Sequence, residues 1–369
     1  MTRQPSDRSL PSRDAEALWV VDESNSVRAF DGRTDRLVAK IDLGSPGDTR
    51  WWLEAGGGYV WAFGLNGAMV LVDPVAAQVV ASPSIGPRPA RGVLGMPHYA
   101  HGAMWIWGEG SVWRVTGPGE VSTAAVASDD RPAGGPGLAA ATDRWVFFGC
   151  GRRLLRIDPA TGGVTDESER LSIALERAGI PRAGVLASMA AGAEGLVVAM
   201  GHNQPDIIVL DPDTVEPKWA TRVPDGSAHV TLHEGGTDVW ALSAGTAMLV
   251  ADDAAGQPRL VQLHGAQVPL AVVALESLWV VHEIDRVLTR LHLPAGRIVQ
   301  QWAIPDEFLA NPSLRLVAGE HTVWLISRID SYSEGVYRVD LDANRLVRVD
   351  QPDGFNDARA VVAAGPRYR

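Results

Sequence analysis

Four ionisable residues stand seven or eleven positions before a tryptophan, namely Glu54, His98, His229 and His233. Imidazole titrates near neutral pH, and a neighbouring carboxylate orients the ring and raises its basicity. We therefore predict that His98 is a general acid or base oriented through a hydrogen bond by Glu54, with His229 and His233 as further catalytic residues. A purely structural histidine–glutamate pair would give the same pattern.

Arginine and aromatic residues near these positions can bind a substrate. Guanidinium groups clamp carboxylates or phosphates, and an aromatic ring offers an apolar wall. The candidate substrate-binding residues are Arg50, Trp52, Tyr99, His282, Arg315 and Arg359. Of the adjacent pair Trp51 and Trp52, we expect one ring to lie in the core.

Metal and cofactor motifs are sparse. On a strand, His229 and His233 would lie about 13 Å apart, too far to chelate one ion together. Polar turns after the tryptophan runs can hold Mg²⁺ or Ca²⁺, although solvated turns are normally polar. The turn residues are Asp22, Glu23, Asn25, Glu109, His202, Asn203, His282, Glu283, Arg328 and Asp330. The sequence has no organic-cofactor motif and no hydrolase, kinase or zinc-protease motif.

Composition narrows the classes of partner. The 369 residues carry a net charge of −11 and no cluster of basic residues, which argues against nucleic acid. No stretch is apolar for the roughly 20 residues of a membrane span, and residues 1–16 lack the apolar core of a secretion signal. Cys150 is the single cysteine, so no intrachain disulfide can form. We predict a cytoplasmic protein with a flexible segment at 1–16 and one domain at 17–369.

Internal repeats indicate how these residues are positioned. Short apolar runs recur every 39 to 52 residues, at 18–21, 60–63, 104–107, 145–148, 196–199, 239–242, 278–281 and 323–326. Seven runs contain tryptophan, and the run at 196–199 does not. A turn and a second alternating strand follow each run, and two more short strands precede the next. Four short strands in each repeat are typical of a β-propeller blade.

The ends of the chain complement each other. The start supplies three strands of a blade, and the apolar segment at 358–365 matches the inner strand that precedes Trp324. We predict an all-β, closed propeller of eight four-stranded blades, with seven blades as the alternative. Three N-terminal strands and one C-terminal strand would close the ring, which removes exposed sheet edges.

Several second strands lead into a turn that begins with aspartate. The segments Val70-Leu71-Val72-Asp73-Pro74 and Leu155-Arg156-Ile157-Asp158-Pro159-Ala160-Thr161 resemble the YVTN-type propeller repeat. More loosely, the chain is similar to virginiamycin B lyase-like propellers. The resemblance covers nearly the whole chain and implies the propeller fold. The Trp-Phe-Thr-Glu strand ending of the lyases is absent, so no catalytic residue is carried over.

Two segments interrupt the repeat. Residues 167–180 have apolar positions at 171, 174, 175 and 178, which is typical of an amphipathic helix, and Asp306 to Ala310 can form one helical turn. The helix is a candidate lid.

Side chains on the inner strands should alternate between two faces. Trp52 and Glu54 are expected on one face, and Leu53, Leu232 and Leu316 are expected to pack between blades.

These features favour a small-molecule enzyme of lyase, cyclase or isomerase type that acts in specialised metabolism. Its substrate would bind at the top of the central channel, with Arg50 and Arg315 holding anionic groups. Two alternatives remain open: a non-catalytic platform for a protein partner, and a ligand-binding sensor.

Overall fold

The structure is a computed structural model that describes most of the chain between residues 16 and 364. The segments outside the described residues are 1–15, 22–23, 33, 35, 45–50, 65–66, 84, 86–96, 109, 119, 126–136, 181–183, 202–205, 224–228, 236, 251–258, 264–269, 283, 294, 306–313, 320–321, 328–335, 350–359 and 365–369. Most of the predicted N-terminal segment and the predicted helical turn at 306–310 therefore lie outside them.

Thirty-two strands and one helix are present in the described residues. The elements of the first half are β1 (Ala17–Val21), β2 (Ser26–Asp31), β3 (Leu37–Asp42), β4 (Trp51–Gly56), β5 (Tyr59–Gly64), β6 (Met69–Asp73), β7 (Gln78–Ala81), β8 (His98–Ala100), β9 (Ala103–Gly108), β10 (Ser111–Thr116), β11 (Glu120–Ala125), β12 (Leu138–Ala141), β13 (Val146–Cys150), β14 (Arg153–Ile157), β15 (Val164–Asp166) and α1 (Ser168–Arg177). Those of the second half are β16 (Val185–Gly192), β17 (Gly195–Gly201), β18 (Asp206–Leu210), β19 (Pro217–Arg222), β20 (Thr231–Gly235), β21 (Asp238–Leu242), β22 (Thr246–Val250), β23 (Arg259–Gln262), β24 (Leu270–Ala274), β25 (Ser277–His282), β26 (Val287–His292), β27 (Arg297–Ala303), β28 (Leu314–Ala318), β29 (Val323–Ser327), β30 (Val336–Asp340), β31 (Arg345–Arg348) and β32 (Ala360–Ala364).

The strands form eight antiparallel sheets of four strands each, which confirms the predicted eight-bladed propeller. Blade one has the order β3-β2-β1-β32, with Trp19 of β1 opposite Val362 of β32. The predicted closure by three N-terminal strands and one C-terminal strand is thus confirmed. The tryptophan-free repeat at 196–199 is β17 of blade five, so the blade count did not depend on tryptophan.

The chain divides into two compact units. The first comprises residues 1–88, 116–120 and 310–369 and contains blades one, two and eight. The second comprises 89–115 and 121–309 and contains the inner strands of blades three to seven.

The repeated tryptophan closes the first hairpin of a blade. In blades two, three and seven, the indole Nε1 donates a hydrogen bond to the carbonyl oxygen five residues earlier, from Trp61 to Gly56 at 2.9 Å, from Trp105 to Ala100 at 3.0 Å and from Trp279 to Ala274 at 3.0 Å. Each ring is also buried, so the residue contributes apolar packing and satisfies a polar group at the turn. The pattern that predicted the blades therefore has a structural cause.

In blades two, three and seven, a two-residue turn joins the innermost strand to the next strand of the blade. Both central residues have positive φ, a conformation that glycine adopts without strain, at Gly57 and Gly58 and at His101 and Gly102. In blade seven the same positions are Leu275 and Glu276, with φ of 54° and 52°. Blade seven therefore holds side-chain-bearing residues at both positions, whereas blade two has glycine at both and blade three has glycine at the second.

Replacing the exposed Glu276 by glycine is expected to stabilise the protein by about 1 kcal/mol, because the left-handed conformation is unfavourable for residues with a Cβ. Thermal unfolding of the two proteins measures the difference. Ala343→Gly is the control, since Ala343 is an exposed turn residue without positive φ, and there glycine is expected to destabilise. An equal loss of stability in both variants would contradict the explanation.

Aspartates at the ends of the second strands hold the following turns. Asp211 Oδ1 accepts hydrogen bonds from the backbone N–H of Thr214 at 2.9 Å and of Asp213 at 3.0 Å. The Thr214 N–H is the main reason that the pKa of Asp211 lies below its usual value. Asp31, Asp73, Asp158 and Asp340 accept equivalent bonds in blades one, two, four and eight. These aspartates are scaffold residues.

Helix α1 follows blade four and is held by its apolar face. Leu171, Ala174 and Leu175 are buried in one apolar cluster with residues of blades four and five. At the start of the helix the buried Glu167 carboxylate lies 2.6 Å from Arg156 of β14 and 3.3 Å from Arg170. The predicted helix at 167–180 is therefore present and packed into the core, a placement that gives no support to a lid.

No helix in the described ranges is long and apolar enough to cross a membrane.

Candidate functional site

On strand β4 of the first unit, buried core residues alternate with half-exposed residues. Trp51 and Leu53 are buried in the apolar cluster of blades one and two, and the Trp51 Nε1 donates to Asn25 Oδ1 at 3.0 Å. Trp52 and Glu54 alternate with them and are only half-buried. The predicted register of β4 is confirmed, and Trp51 is the member of the tryptophan pair that lies in the core.

The Glu54 carboxyl group is poorly hydrated. Burial raises its pKa from 4.5 to about 7. Within its own unit, no described residue gives Glu54 a hydrogen bond or an ion pair. A carboxyl in such surroundings exchanges a proton near neutral pH.

The predicted arginines of the first unit are only partly described. Arg315 lies half-buried on β28, the inner strand of blade eight, and is engaged in an interaction. Leu316 and Val317 beside it are half-buried as well, so β28 does not show the core-and-surface alternation of β4. Arg50 and Arg359 lie outside the described residues.

His98 opens β8, the inner strand of blade three in the second unit. Burial, and to a smaller extent the charge of His101, lower its pKa from 6.5 to about 4. His101 itself lies in the adjoining turn, where its Nε2 is 2.9 Å from the Thr142 carbonyl oxygen. The imidazole of His98 is therefore neutral at pH 7. Its predicted hydrogen bond with Glu54 remains a prediction.

Blade six places a second imidazole on its inner strand. On β20 the His233 Nε2 is 2.9 Å from the Thr231 Oγ1, and burial lowers the pKa of His233 from 6.5 to about 4. Leu232 between them is buried, as the alternation predicted. His229 precedes β20 and is exposed, so it does not belong to the strand that carries Thr231 and His233.

The other predicted site residues are dispersed. Tyr99 is half-buried on β8, and His282 is buried at the end of β25. Among the residues that the structure describes, no group of three or more His, Cys, Asp or Glu could hold a metal ion. Most of the proposed metal-binding turn residues lie outside the described residues: Asp22, Glu23, Glu109, His202, Asn203, Glu283, Arg328 and Asp330. Burial raises the pKa of Cys150, which suits a structural thiol.

Sequence reasoning missed a polar network between blades four and five. The Trp145 Nε1 donates to Asp213 Oδ1 at 2.6 Å, and the guanidinium groups of Arg144 and Arg156 lie 5.0 and 4.6 Å from the centre of the Trp145 ring. Arg156 also donates to the Asp213 carbonyl oxygen. The network joins blades four and five through residues that bond to one another. The sequence showed Trp145 only as a repeat position.

Two shallow cavities flank helix α1, away from the predicted site residues. One of about 300 Å³ is lined by Arg152, Glu169, Ser172, Ile173, Leu175 and Glu176. The other, of about 130 Å³, lies between the helix and the 214–217 turn. Neither contains a group with a strongly shifted pKa, so neither competes with β4 as a candidate site.

Comparison with solved structures shows the same architecture. The apo form of AztD from Citrobacter koseri superposes with a TM-score of 0.61 at 14% identity, over 96% of this chain and 98% of AztD. BamB from Moraxella catarrhalis gives 0.58 at 14% identity, over 86% and 92% of the two chains, and the computationally designed Ika8 gives 0.59 at 11%, over 85% and 94%. The shared feature is the β-propeller. At these identities the likeness shows the fold alone. No family model and no curated protein sequence matches the chain.

Proposed function

We propose that the protein is an enzyme that converts a small organic molecule, with Glu54 as the group that exchanges a proton with it. The observation that supports this proposal is an acidic side chain on an inner strand that shares a half-exposed face with Trp52 and has no partner among the described residues of its own unit. Structural carboxyl groups elsewhere in the described residues, such as Glu167, are paired.

The pKa values suggest a different division of roles from the sequence prediction. A group whose pKa lies near the operating pH is the most effective general acid or base. At about 7, the pKa of Glu54 meets this condition, whereas His98 and His233, with pKa values of about 4, stay neutral and serve as hydrogen-bonding groups. We therefore assign the proton transfer to Glu54.

The proposal also includes a reaction of lyase, cyclase or isomerase type and a cytoplasmic location. Proton removal and return at carbon or nitrogen are steps that lyases, cyclases and isomerases share, and they need no bound cofactor. The YVTN-type and lyase-like resemblance agrees with this class but rests on scaffold residues. The single cysteine is compatible with a reducing cytoplasm.

Glutamine at position 54 tests the proposal. The protein is incubated with a defined pool of small amines, carboxylic acids and neutral metabolites, and mass spectrometry follows the depletion of each compound. We expect Glu54→Gln to slow the depletion at least 100-fold, since general acid–base catalysis typically contributes that much. Glu120→Gln, on an exposed outer strand, should leave the rate unchanged.

Equal rates for Glu54→Gln and wild type would refute the role of Glu54. If the wild type depletes none of the compounds, the enzymatic proposal is wrong, and a non-catalytic sensor or platform takes its place.

A further inference from the structure

The half-exposed face of β4 combines an aromatic ring with an acid. Trp52 and Glu54 are two residues apart, which on a strand places their Cβ atoms about 7 Å apart on the same side. A ligand group of the size of an ammonium or trimethylammonium ion can contact both side chains at once.

The first-unit strands that pack against the strand of Glu54 are uncharged in sequence. In the first unit, the strands packed against β4 are β1, β5 and β32, and their sequences contain no charged residue. Elsewhere in the described residues, carboxylates removed from water have a cation or a donor: Glu167 has Arg156, Asp206 has Arg222, and Glu234 has the Ala191 N–H. A carboxylate removed from water without such a partner is unfavourable, and a bound cation would compensate it.

Other tryptophans of this protein have a cation over the ring, and no such contact with Trp52 is present among the described residues of its unit. Guanidinium groups lie over Trp105 at 5.5 Å and over Trp279 at 5.4 Å, from Arg114 and Arg290. Within its own unit, no described residue makes an equivalent contact with Trp52. The face of an indole ring attracts cations, most strongly where water is excluded.

We propose that Trp52 and Glu54 bind the cationic group of a small organic amine or quaternary ammonium compound. The inference rests on the proposed function, since it names the substrate class of the same site. It also differs from the sequence expectation of an anionic substrate: of the arginines that supported that expectation, Arg50 and Arg359 lie outside the described residues, and Arg315 already has a partner.

Binding of a cation at this site should be linked to proton release and should therefore depend on pH. The cation prefers the ionised carboxylate, so binding at pH 6 releases a proton from Glu54 to solvent, and binding at pH 8 does not. With the carboxyl pKa at about 7, the ionised fraction rises roughly tenfold between these pH values, and the affinity should rise by the same factor.

Isothermal titration calorimetry with two probes of one shape tests the proposal. Choline carries the charge, and 3,3-dimethylbutan-1-ol is its uncharged counterpart. We expect choline to bind at least tenfold more tightly than the alcohol at pH 8, and about tenfold less tightly at pH 6 than at pH 8.

Variants identify the residues. Glu54→Gln should abolish the preference for choline over the alcohol together with the pH dependence, and Trp52→Leu should weaken choline binding about fivefold or more. Glu120→Gln and Trp113→Leu, which change an exposed acid and a half-buried tryptophan on other strands, should bind as the wild type does. Circular dichroism verifies folding, and the pH dependence of the wild type tests the proposal without any substitution.

The outcomes separate this inference from the proposed function. No binding of choline or tetramethylammonium, equal binding of the alcohol, or unchanged binding by Glu54→Gln would overturn the cation site. If cations bind but no compound of the pool is converted, the site stands and the enzymatic proposal fails. If a neutral or anionic compound is converted in a Glu54-dependent way while no cation binds, the enzymatic proposal stands and the cation site fails.

Discussion

Between pH 6.5 and pH 4 the protein is expected to lose stability. Replacing His98 and His233 together by glutamine should prevent most of this loss. Burial lowers the pKa of each imidazole from 6.5 to about 4, so between these values the unfolded chain binds protons that the folded protein does not. Stability is therefore fully present above pH 6.5 and falls as the pH decreases. Each histidine accounts for roughly 3 kcal/mol of this loss at pH 4.

Thermal unfolding at pH 7.5, 6.5, 5.5 and 4.5 measures the effect. The Tm of the wild type should fall with pH more steeply than that of the double variant, by roughly 5 °C or more at pH 4.5 for a chain of this size. His229→Gln is the matched control, because His229 is exposed. Parallel pH profiles of the wild type and the double variant would show that the two imidazoles are not removed from water in the folded protein.

Glu54→Gln is expected to act in the opposite direction and in a different pH range. Burial raises the pKa of Glu54 from 4.5 to about 7, so the folded protein retains a proton that the unfolded chain releases between these values. Stability thus decreases as the pH rises from 4.5 to 7 and stays constant above it, with a total loss of roughly 3 kcal/mol. Glutamine is neutral at every pH and avoids the loss.

The variant should be more stable than the wild type at pH 8, by a few degrees in Tm, and the difference should vanish near pH 4.5. Glu120→Gln, which removes an exposed carboxylate, should show no such trend. A difference between Glu54→Gln and wild type that does not change with pH would mean that the Glu54 carboxyl is not desolvated. A tightly bound cation would reduce the stabilisation at pH 8, so the protein is dialysed before the measurement.

A residue that destabilises the fold and is nevertheless present is a functional candidate. Glu54 destabilises the protein at neutral pH, and glutamine of nearly the same shape would not. The two histidines are neutral there and affect stability only in acid. This difference supports Glu54, more than His98, as the reactive group of the proposed site.

The blade architecture could be predicted because its causes are local. Three of the repeated tryptophans, Trp61, Trp105 and Trp279, each bond a carbonyl only five residues away. Aspartates such as Asp211 bond backbone groups two and three residues later. Interactions of this range leave a periodic pattern in the sequence, from which the eight blades could be counted.

The composition of the candidate site was only partly predictable. Alternation on β4 paired Trp52 with Glu54, and alternation on β20 placed Leu232 between blades. It did not indicate that β20 begins at Thr231 and so excludes His229, or that Leu316 is half-buried. The residue at which a strand begins and the burial of the side chains on its two faces depend on the neighbouring blades. Those blades are formed by residues about forty positions away in sequence.

The sequence by itself determined which residues repeat, and hence the fold and the strand faces. Only the tertiary structure decided which of Trp51 and Trp52 is core, and which ionisable groups lose their hydration. The physical reason is that strand periodicity is a property of adjacent residues, whereas desolvation is the sum of all the atoms that displace water around a group. For Glu54 this desolvation raises the pKa to about 7, and the sequence around position 54 does not indicate such a shift.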